Sequence, residues 1–351
     1  MNERYLREKI AARSANADDY VELAGLLFES CRFEESIATL RQALSVPSDN
    51  ITRASVLTML AGYVYNATSS TAEPRALAEQ AVRLTEGLET VEASVARAKA
   101  QHLVGAYVFP DDPASSRETA ASALSILEPL LESAVISQPA TRFEALMAAE
   151  SLNSLLDRFD EASTQCREAF EAASNPIEKL YSLMELGTSY RQAGRLSEAR
   201  NVFAEAVLYR DASPWALVRL YSELGWTERA LGKHAEARAK FRKAIEILQE
   251  HPALPRDGLP ELLRFYGELS YELEDMEEAA RSYQSAADQY AATDPLHWNS
   301  LLWFAYSQRA LGQNAAAREN ANLIKRSPIA SGEDRANADV LLEAIPNDVS
   351  E

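Results

Sequence analysis

A short motif that recurs at nearly constant spacing constrains this chain more than any other feature of its sequence. Each copy has a glycine followed five positions later by an alanine, at Gly194 and Ala199, Gly232 and Ala237, and Gly312 and Ala317. With Ala279 of a more divergent copy included, the alanines recur at intervals of 38, 42 and 38 residues. Self-similarity at such a period is typical of solenoids, in which each unit packs on its neighbours. The motif therefore predicts an array of repeated units.

Residues around the motif predict that each unit is a pair of antiparallel helices. Leu-Gly pairs lie upstream, at Leu186-Gly187 and Leu224-Gly225, and Gly267 occupies the same place in the divergent copy. A small residue there lets the second helix approach closely, with the motif alanine facing it. An aromatic residue one turn later then fills the seam to the next unit, at Phe203, Phe241 and Tyr283.

The ends of these helices also carry recognisable signals. The motif glycines are suited to the left-handed residue that ends a helix. Helix starts are predicted where an N-cap residue precedes a proline, at Asn175-Pro176, Ser213-Pro214 and Asp294-Pro295. Glu178 is the expected capping-box partner of the first. With only 12 Gly and 14 Pro in 351 residues, the chain is predicted to be all-α.

Charge and hydropathy exclude several classes of function. The 35 Lys and Arg against 53 Asp and Glu give a net charge of −18, which opposes binding to nucleic acid. No apolar run approaches the ~18 residues that a membrane span needs. Residues 1–10 are highly charged and lack the apolar segment of a secretory signal, so we expect a cytoplasmic protein. Cys31 and Cys166 are expected to be reduced and buried rather than joined or reactive.

The segments from about residue 175 onward resemble tetratricopeptide repeats. The match is carried by Leu186, Gly187, Tyr190, Gly194, Ala199, Phe203 and Ala206. A weaker copy near residues 24–47 has Cys31 in place of the turn glycine, and two more first helices are suggested at Leu60-Ala61-Gly62 and Leu103-Val104-Gly105. For the helix after the last of these, Ser115 and Glu118 predict a capping box. The spacing exceeds the usual 34 residues, as in the long-helix variants of kinesin light chain and bacterial quorum-sensing peptide receptors.

The resemblance implies a right-handed superhelical solenoid of antiparallel helix pairs, in one continuous array. We predict about eight tetratricopeptide-like hairpins over residues 17–328, a capping helix in residues 1–16, and a capping helix with a tail in residues 329–351. In that last helix, Ala336, Val340 and Leu341 are expected to pack on the final repeat.

No catalytic or metal-binding constellation is visible. The histidines, His102, His234, His251 and His297, are scattered, and we interpret them as solvated surface residues. Asp111-Asp112 lies between prolines and is typical of a helix connection. The acidic run from Glu272 to Glu278 fits a solvated turn and helix start. We therefore expect no enzyme activity, no metal and no cofactor.

The first helices of a tetratricopeptide array line a concave groove, and periodicity suggests which side chains face it. In the C-terminal half, five arginines and four aromatic residues are candidates for partner binding: Arg191, Arg219, Trp226, Arg229, Arg264, Tyr271, Trp303, Tyr306 and Arg309. The corresponding N-terminal places are apolar or small: Val21, Phe28, Met59, Tyr63, Met147 and Ser151. Arg, Trp and Tyr dominate binding hot spots. The alternative is that the arginines simply occupy a wet helical face and that Trp226 and Trp303 pack between units.

The sequence thus predicts a non-catalytic scaffold or adaptor that binds a protein or peptide segment in its groove. We expect that segment to carry acidic and apolar residues. The alternatives are a regulatory receptor for a small signalling peptide, a structural self-assembler and, least supported by the residues, an all-helical enzyme. Capture of chaperone C-termini is not implied, because the leading units lack the required Lys and Asn residues.

Overall fold

The structure, a computed structural model, describes residues 2–68, 70–133, 135–209, 213–256 and 258–346, in which the secondary structure is helical. The eighteen helices of these ranges are α1 (Glu3–Ala11), α2 (Ala17–Glu29), α3 (Phe33–Ala43), α4 (Asn50–Thr68), α5 (Ala72–Thr85), α6 (Val91–Val108), α7 (Pro113–Glu132), α8 (Pro139–Leu155), α9 (Phe159–Ala172), α10 (Pro176–Gln192), α11 (Leu196–Ala206), α12 (Pro214–Ala230), α13 (His234–Glu250), α14 (Leu259–Glu272), α15 (Met276–Gln289), α16 (Pro295–Ala310), α17 (Asn314–Arg326) and α18 (Gly332–Ala344). No helix in the described ranges is long and apolar enough to cross a membrane. The all-α prediction is confirmed.

The chain divides into two compact units. Unit 1 comprises residues 1–220 and 253–255, and unit 2 comprises residues 221–252 and 256–351. The single continuous array and its handedness stay predictions.

In unit 1, each even-numbered helix from α2 to α10 packs on the helix that follows it, and each of these hairpins packs on the next. The first helices α2, α4, α6 and α8 also contact one another in sequence. One side of unit 1 is therefore built from first helices. At its start, Leu6 of α1 is buried against Leu23 and Leu27 of α2, as a capping helix requires.

In unit 2, α13 to α18 pack consecutively, and α16 also contacts α18. The end of the unit is closed by a cluster that joins Leu302, Ala317 and Ile324 to Ala338 and Leu341 of α18. The predicted register of α18 is wrong for two positions, because Ala336 and Val340 are exposed while Leu341 is buried. The buried stripe runs instead through Ala338, Leu341 and Ile345.

The motif glycines have the predicted geometry. Gly194, Gly232 and Gly312 have φ angles of +74°, +73° and +76° at the ends of the first helices. Cys31 has a φ of +60° at the corresponding turn, which confirms its place in the repeat. The cysteines Cys31 and Cys166 are both free and buried, as expected.

The upstream glycines allow close packing, with one difference from the prediction. A Cβ atom on Gly187 would lie 2.5 Å from Cε1 of Phe203, and one on Gly225 would lie 2.5 Å from Cε1 of Phe241. The aromatic ring of the second helix therefore covers the glycine of its own hairpin rather than only the seam to the next unit. Without a side chain at these positions, the ring can lie directly on the helix backbone.

Two predicted helix starts differ in detail. Asn175 caps α10, but the Glu178 carboxylate accepts from the amide of Ser174, at 2.6 Å, instead of from the cap residue. The helix predicted to start at Ser115 begins two residues earlier, because Asp112 accepts from the amide of Ser115 at 3.1 Å and Pro113 is the first helical residue. Asp112 is thus a cap in a helix connection, consistent with the reading of that acidic pair.

Candidate functional site

A cavity of about 630 Å³ lies on the first-helix side of unit 1. We call it the inner cavity, and five first helices supply its lining. The lining residues are Asp18, Val21, Thr52, Ser55, Thr58, Met59, Gly62, Tyr63, Asn66, Lys99, His102, Leu103, Ala140, Phe143, Glu144, Met147, Ala148, Ser151 and Glu178. Five of the six N-terminal groove positions predicted from periodicity are among them. The sixth, Phe28, stacks on Tyr63 with ring centroids 4.0 Å apart.

The walls of the inner cavity are held in place by contacts between helices that are distant in sequence. The Tyr181 hydroxyl of α10 donates to the Glu29 carboxylate of α2 at 3.0 Å, across 152 residues. Phe28 also meets Trp215 edge-on, at a centroid distance of 5.7 Å. These contacts bring the first hairpin of unit 1 against α10 and the beginning of α12. The inner faces of the intervening first helices therefore surround the cavity.

A second cavity of about 450 Å³ adjoins the first, and we call it the polar cavity. Its lining is His102, Phe109, Glu150, Ser151, Ser154, Leu155, Asp157, Phe159, Glu185, Thr188 and Gln192. His102 and Ser151 line both cavities, so the two spaces share a border.

Glu150 is the most perturbed acid of the polar cavity. Only 4% of the residue is exposed, and its carboxyl oxygens accept from the hydroxyls of Ser151 at 2.9 Å and Ser154 at 3.0 Å. Burial, reinforced by the nearby charge of Glu185, raises the pKa of Glu150 to about 8. Glu185 itself forms an ion pair with Arg219, at 2.5 Å. At neutral pH the polar cavity therefore holds the protonated carboxyl group of Glu150 beside the carboxylate of Glu185, whose charge is balanced by Arg219.

His102 is not the surface residue that the sequence suggested. It faces both cavities from α6, and burial lowers its pKa. The other histidines do lie near helix ends, where His234 contacts the Glu272 carboxylate at 2.7 Å and His297 contacts the carbonyl oxygen of Ala287 at 2.9 Å. No group of three or more potential His, Cys, Asp or Glu metal ligands occurs in the part of the chain that the structure describes.

The residues predicted to bind a partner are distributed over both units. In unit 1, Arg191 lies near the end of α10, partly buried, and Arg219 lies in the ion pair with Glu185. In unit 2, Trp226, Arg229 and Arg264 gather around Phe265, whose ring lies 4.3 Å from that of Trp226 and 4.0 Å from the Arg264 guanidinium. Arg229 also pairs with the carboxylate of Glu268. These side chains are thus already engaged within the protein.

The remaining predicted residues form a second group in unit 2. Trp303 lies 5.5 Å from Tyr271 and 5.6 Å from Tyr306 between ring centroids, and it keeps 37% exposure. The Tyr306 hydroxyl donates to the carbonyl oxygen of Asn337 at 3.1 Å, whereas Arg309 is exposed. The packing alternative therefore describes Trp226 well and Trp303 in part. Whether these residues contact a partner stays a prediction.

Sequence reasoning missed the acids of the polar cavity and the central ring of the unit 2 group. Glu150, Glu185 and Arg219 are separated by 35 and 34 residues, whereas the first helices α8, α10 and α12 that carry them begin 37 and 38 residues apart. They therefore occupy different positions along successive first helices, and the repeat pattern gives no signal that brings them together. Phe265 and Glu268 lie on the same helix as Arg264 and Tyr271, but neither belongs to the Arg, Trp and Tyr composition that marks the candidate groove residues.

The fold defines a helical-repeat protein, and comparison with known proteins specifies the repeat. The tetratricopeptide repeat family matches residues 181–250, which span α11, α12 and α13 and most of α10. The resemblance of the motif to tetratricopeptide repeats is therefore confirmed for residues 181–250. A search of curated proteins found no significant match.

Two solved structures share the fold over most of the chain. One is a STAND signal-transduction ATPase with a tetratricopeptide repeat sensor from Pyrococcus horikoshii, 14% identical, with a TM-score of 0.56 over 94% of this chain and 55% of that chain. The other is a Rap protein complexed with Competence and Sporulation Factor, 11% identical, with a TM-score of 0.54 over 94% of this chain and 90% of that chain. At these identities the likeness shows the fold alone.

Proposed function

We propose that this protein is a non-catalytic interaction module that binds a peptide or a peptide-like segment of a partner protein in the inner cavity of unit 1. The observation that carries the proposal is the lining of that cavity, where Met59, Tyr63, Phe143 and Met147 supply apolar surface among polar groups. Mostly apolar concave sites with a few placed polar groups are typical ligand sites. Methionine is also suited to binding surfaces because it adapts its shape to the ligand.

A regulatory receptor for a small signalling peptide is a narrower form of the same proposal. The concave lining of the inner cavity, which five first helices supply, favours it over a flat scaffold surface. A Rap protein of the same fold has been solved with a factor bound, which is compatible with this form.

The test uses a variant that fills the cavity without disturbing the fold. A Cβ atom on Gly62 of α4 would meet no atom within 4 Å, although Gly62 lines the cavity. Gly62→Leu therefore adds volume to the site and improves helix propensity at the same time. Gly25→Leu on α2 is the matched control, because Gly25 has the same free space but does not line the cavity.

Random 12-residue peptides displayed on phage would be selected against the full-length protein, and the affinities of synthetic versions measured by fluorescence polarisation. We expect Gly62→Leu to weaken binding by about tenfold or more, which corresponds to about 1.4 kcal/mol, and Gly25→Leu to leave it within twofold. A selection that yields no peptide blocked by Gly62→Leu would contradict the proposal.

The surface around Trp303 in unit 2 is a separate proposal, for a segment with acidic and apolar residues. It is supported by the exposure of Trp303 and Arg309. Trp303→Ala and Arg309→Ala are expected to weaken capture of such a peptide, and the exposed Arg242 on α13 provides the control Arg242→Ala. Equal affinities for all three variants would remove this second surface.

A further inference from the structure

The two cavities of unit 1 share a border, so two side chains of one bound ligand can lie next to each other, one in each cavity. Because His102 and Ser151 line both spaces, a side chain in the inner cavity lies next to the entrance of the polar cavity. Adjacent side chains of a bound peptide could therefore occupy one cavity each. The chemistry of the two linings then specifies a pair of neighbouring residue types.

Three of the residues that line the polar cavity carry a carboxyl group. Glu150, Asp157 and Glu185 line it, and its lining includes no lysine or arginine. Arg117 pairs with Asp157 at 2.6 Å and Arg219 pairs with Glu185, but the hydrogen bonds to Glu150 come from serine hydroxyls. In the inner cavity, acidic lining residues outnumber basic ones, since Lys99 is its single Lys or Arg lining residue and pairs with Glu144, while Asp18 and Glu178 also line it.

Resting on the function proposed above, we propose that the ligand segment carries a lysine or arginine directly beside a large apolar residue. The apolar side chain enters the inner cavity among Met59, Phe143 and Met147. The ammonium or guanidinium group enters the polar cavity beside Glu150, whose carboxyl oxygens accept from serine hydroxyls, whereas Asp157 and Glu185 are each paired with an arginine. An acidic neighbour would instead lie beside the Glu150 carboxyl group, gain no ion pair with a residue of the lining, and bind more weakly.

Binding of this cation has a consequence that a purely apolar ligand would not have. A positive charge next to a buried carboxyl group favours its ionised form, so Glu150 should lose a proton when the ligand binds. The titratable and charged groups on the elements packed around Glu150 are His102, Asp157, Cys166, Arg167, Glu185 and Arg219. The burial that holds the pKa of Glu150 high makes it the group best placed to release the proton near neutral pH.

The first experiment counts residue types among selected peptides. In the 12-residue library, the peptides that Gly62→Leu blocks are sequenced and compared with the unselected library. We expect Lys or Arg beside an apolar residue to be enriched at least threefold, and Asp and Glu to be depleted. Blocked peptides without this pair would overturn the inference and leave the proposed function intact, whereas the absence of blocked peptides would remove the proposed function itself.

The second experiment measures the proton. Calorimetric titrations of one selected peptide in phosphate and in Tris buffer at pH 7 give the protons released per peptide bound. Glu150→Gln should abolish the release and weaken binding several-fold. Replacing the peptide's Arg by citrulline, or its Lys by norleucine, should have the same effects, and should add nothing further in the Glu150→Gln variant.

Glu168→Gln is the control for the second experiment, because Glu168 pairs with Arg142 outside both cavities. It should leave affinity and proton release unchanged. Proton release that persists in Glu150→Gln, or that is equal for the basic peptide and its neutral analogue, would overturn the inference.

Discussion

At the residue scale, glycine has two distinct roles in this repeat. Gly194, Gly232 and Gly312 adopt left-handed backbone at the turns, where Cys31 shows that another residue can be tolerated. Gly187 and Gly225 are required for a different reason, because an aromatic ring of the second helix lies directly on them. The two roles predict different responses to substitution.

Gly225→Leu tests the close-approach role. Its Cβ atom would lie 2.5 Å from Cε1 of Phe241, so ring and helix must move apart. We expect the free energy of unfolding to fall by about 1–3 kcal/mol, measured by urea denaturation followed by circular dichroism. Gly62→Leu is the control and should be at least as stable as the natural protein. An unchanged transition in Gly225→Leu would show that the hairpin register is wrong.

Because of Glu150, the free energy of unfolding should fall as pH rises, whereas a carboxyl group with a lowered pKa makes it rise. Its pKa is raised from 4.5 to about 8 on folding, so between these values the folded state binds more protons than the unfolded state. The contribution of this group is therefore favourable below about pH 4.5 and is lost as pH rises toward 8, at up to about 1.4 kcal/mol per pH unit.

Urea denaturation at several pH values between 5 and 8.5 measures this effect. Glu150→Gln should remove the decline and be more stable than the natural protein at pH 8, while Glu168→Gln should retain it. A natural protein whose stability rises over this range to the same extent as that of Glu150→Gln would refute the protonated state of Glu150.

At the element scale, helix ends and packing stripes were predictable where one local signal dominated. The Asn-Pro and Asp-Pro starts of α10 and α16 are capped as expected. Errors arose where two signals competed, as at Asp112 and Ser115, or where an amphipathic stripe was short, as in α18. Two positions of its predicted stripe were misassigned because one helix of mixed alanine and polar residues fits more than one register.

The corrected register of α18 gives a direct test of its capping role. Leu341 is fully buried against the last hairpin, whereas Val340 is 59% exposed. Leu341→Ala should lower the free energy of unfolding by about 2–5 kcal/mol. Val340→Ala should change it by less than about 0.5 kcal/mol. Equal effects in thermal or urea denaturation would mean that α18 does not close unit 2 through this face.

At the scale of the whole molecule, the sequence predicted which face of the N-terminal first helices lines a cavity. It did not predict the charged contacts between helices. Periodicity correctly grouped Val21, Met59, Tyr63 and Met147, because one face of each first helix repeats at each unit. It could not predict that Glu268 would pair with Arg229, because such a pair depends on how far one helix is shifted along its neighbour. For the same reason, periodicity did not predict that Glu150 and Glu185 lie together in the polar cavity.

The central claim is that a peptide binds within the inner cavity of unit 1, and photo-crosslinking tests it most directly. A selected peptide carrying benzoylphenylalanine at its apolar position would be irradiated with the full-length protein and the attachment sites mapped by mass spectrometry. Benzophenone reacts readily with methionine, and of the 5 Met in the chain, Met59 and Met147 line the cavity. We predict attachment at these two residues, suppressed by Gly62→Leu. Attachment at Met276 of unit 2 or on second helices, unaffected by Gly62→Leu, would contradict the account.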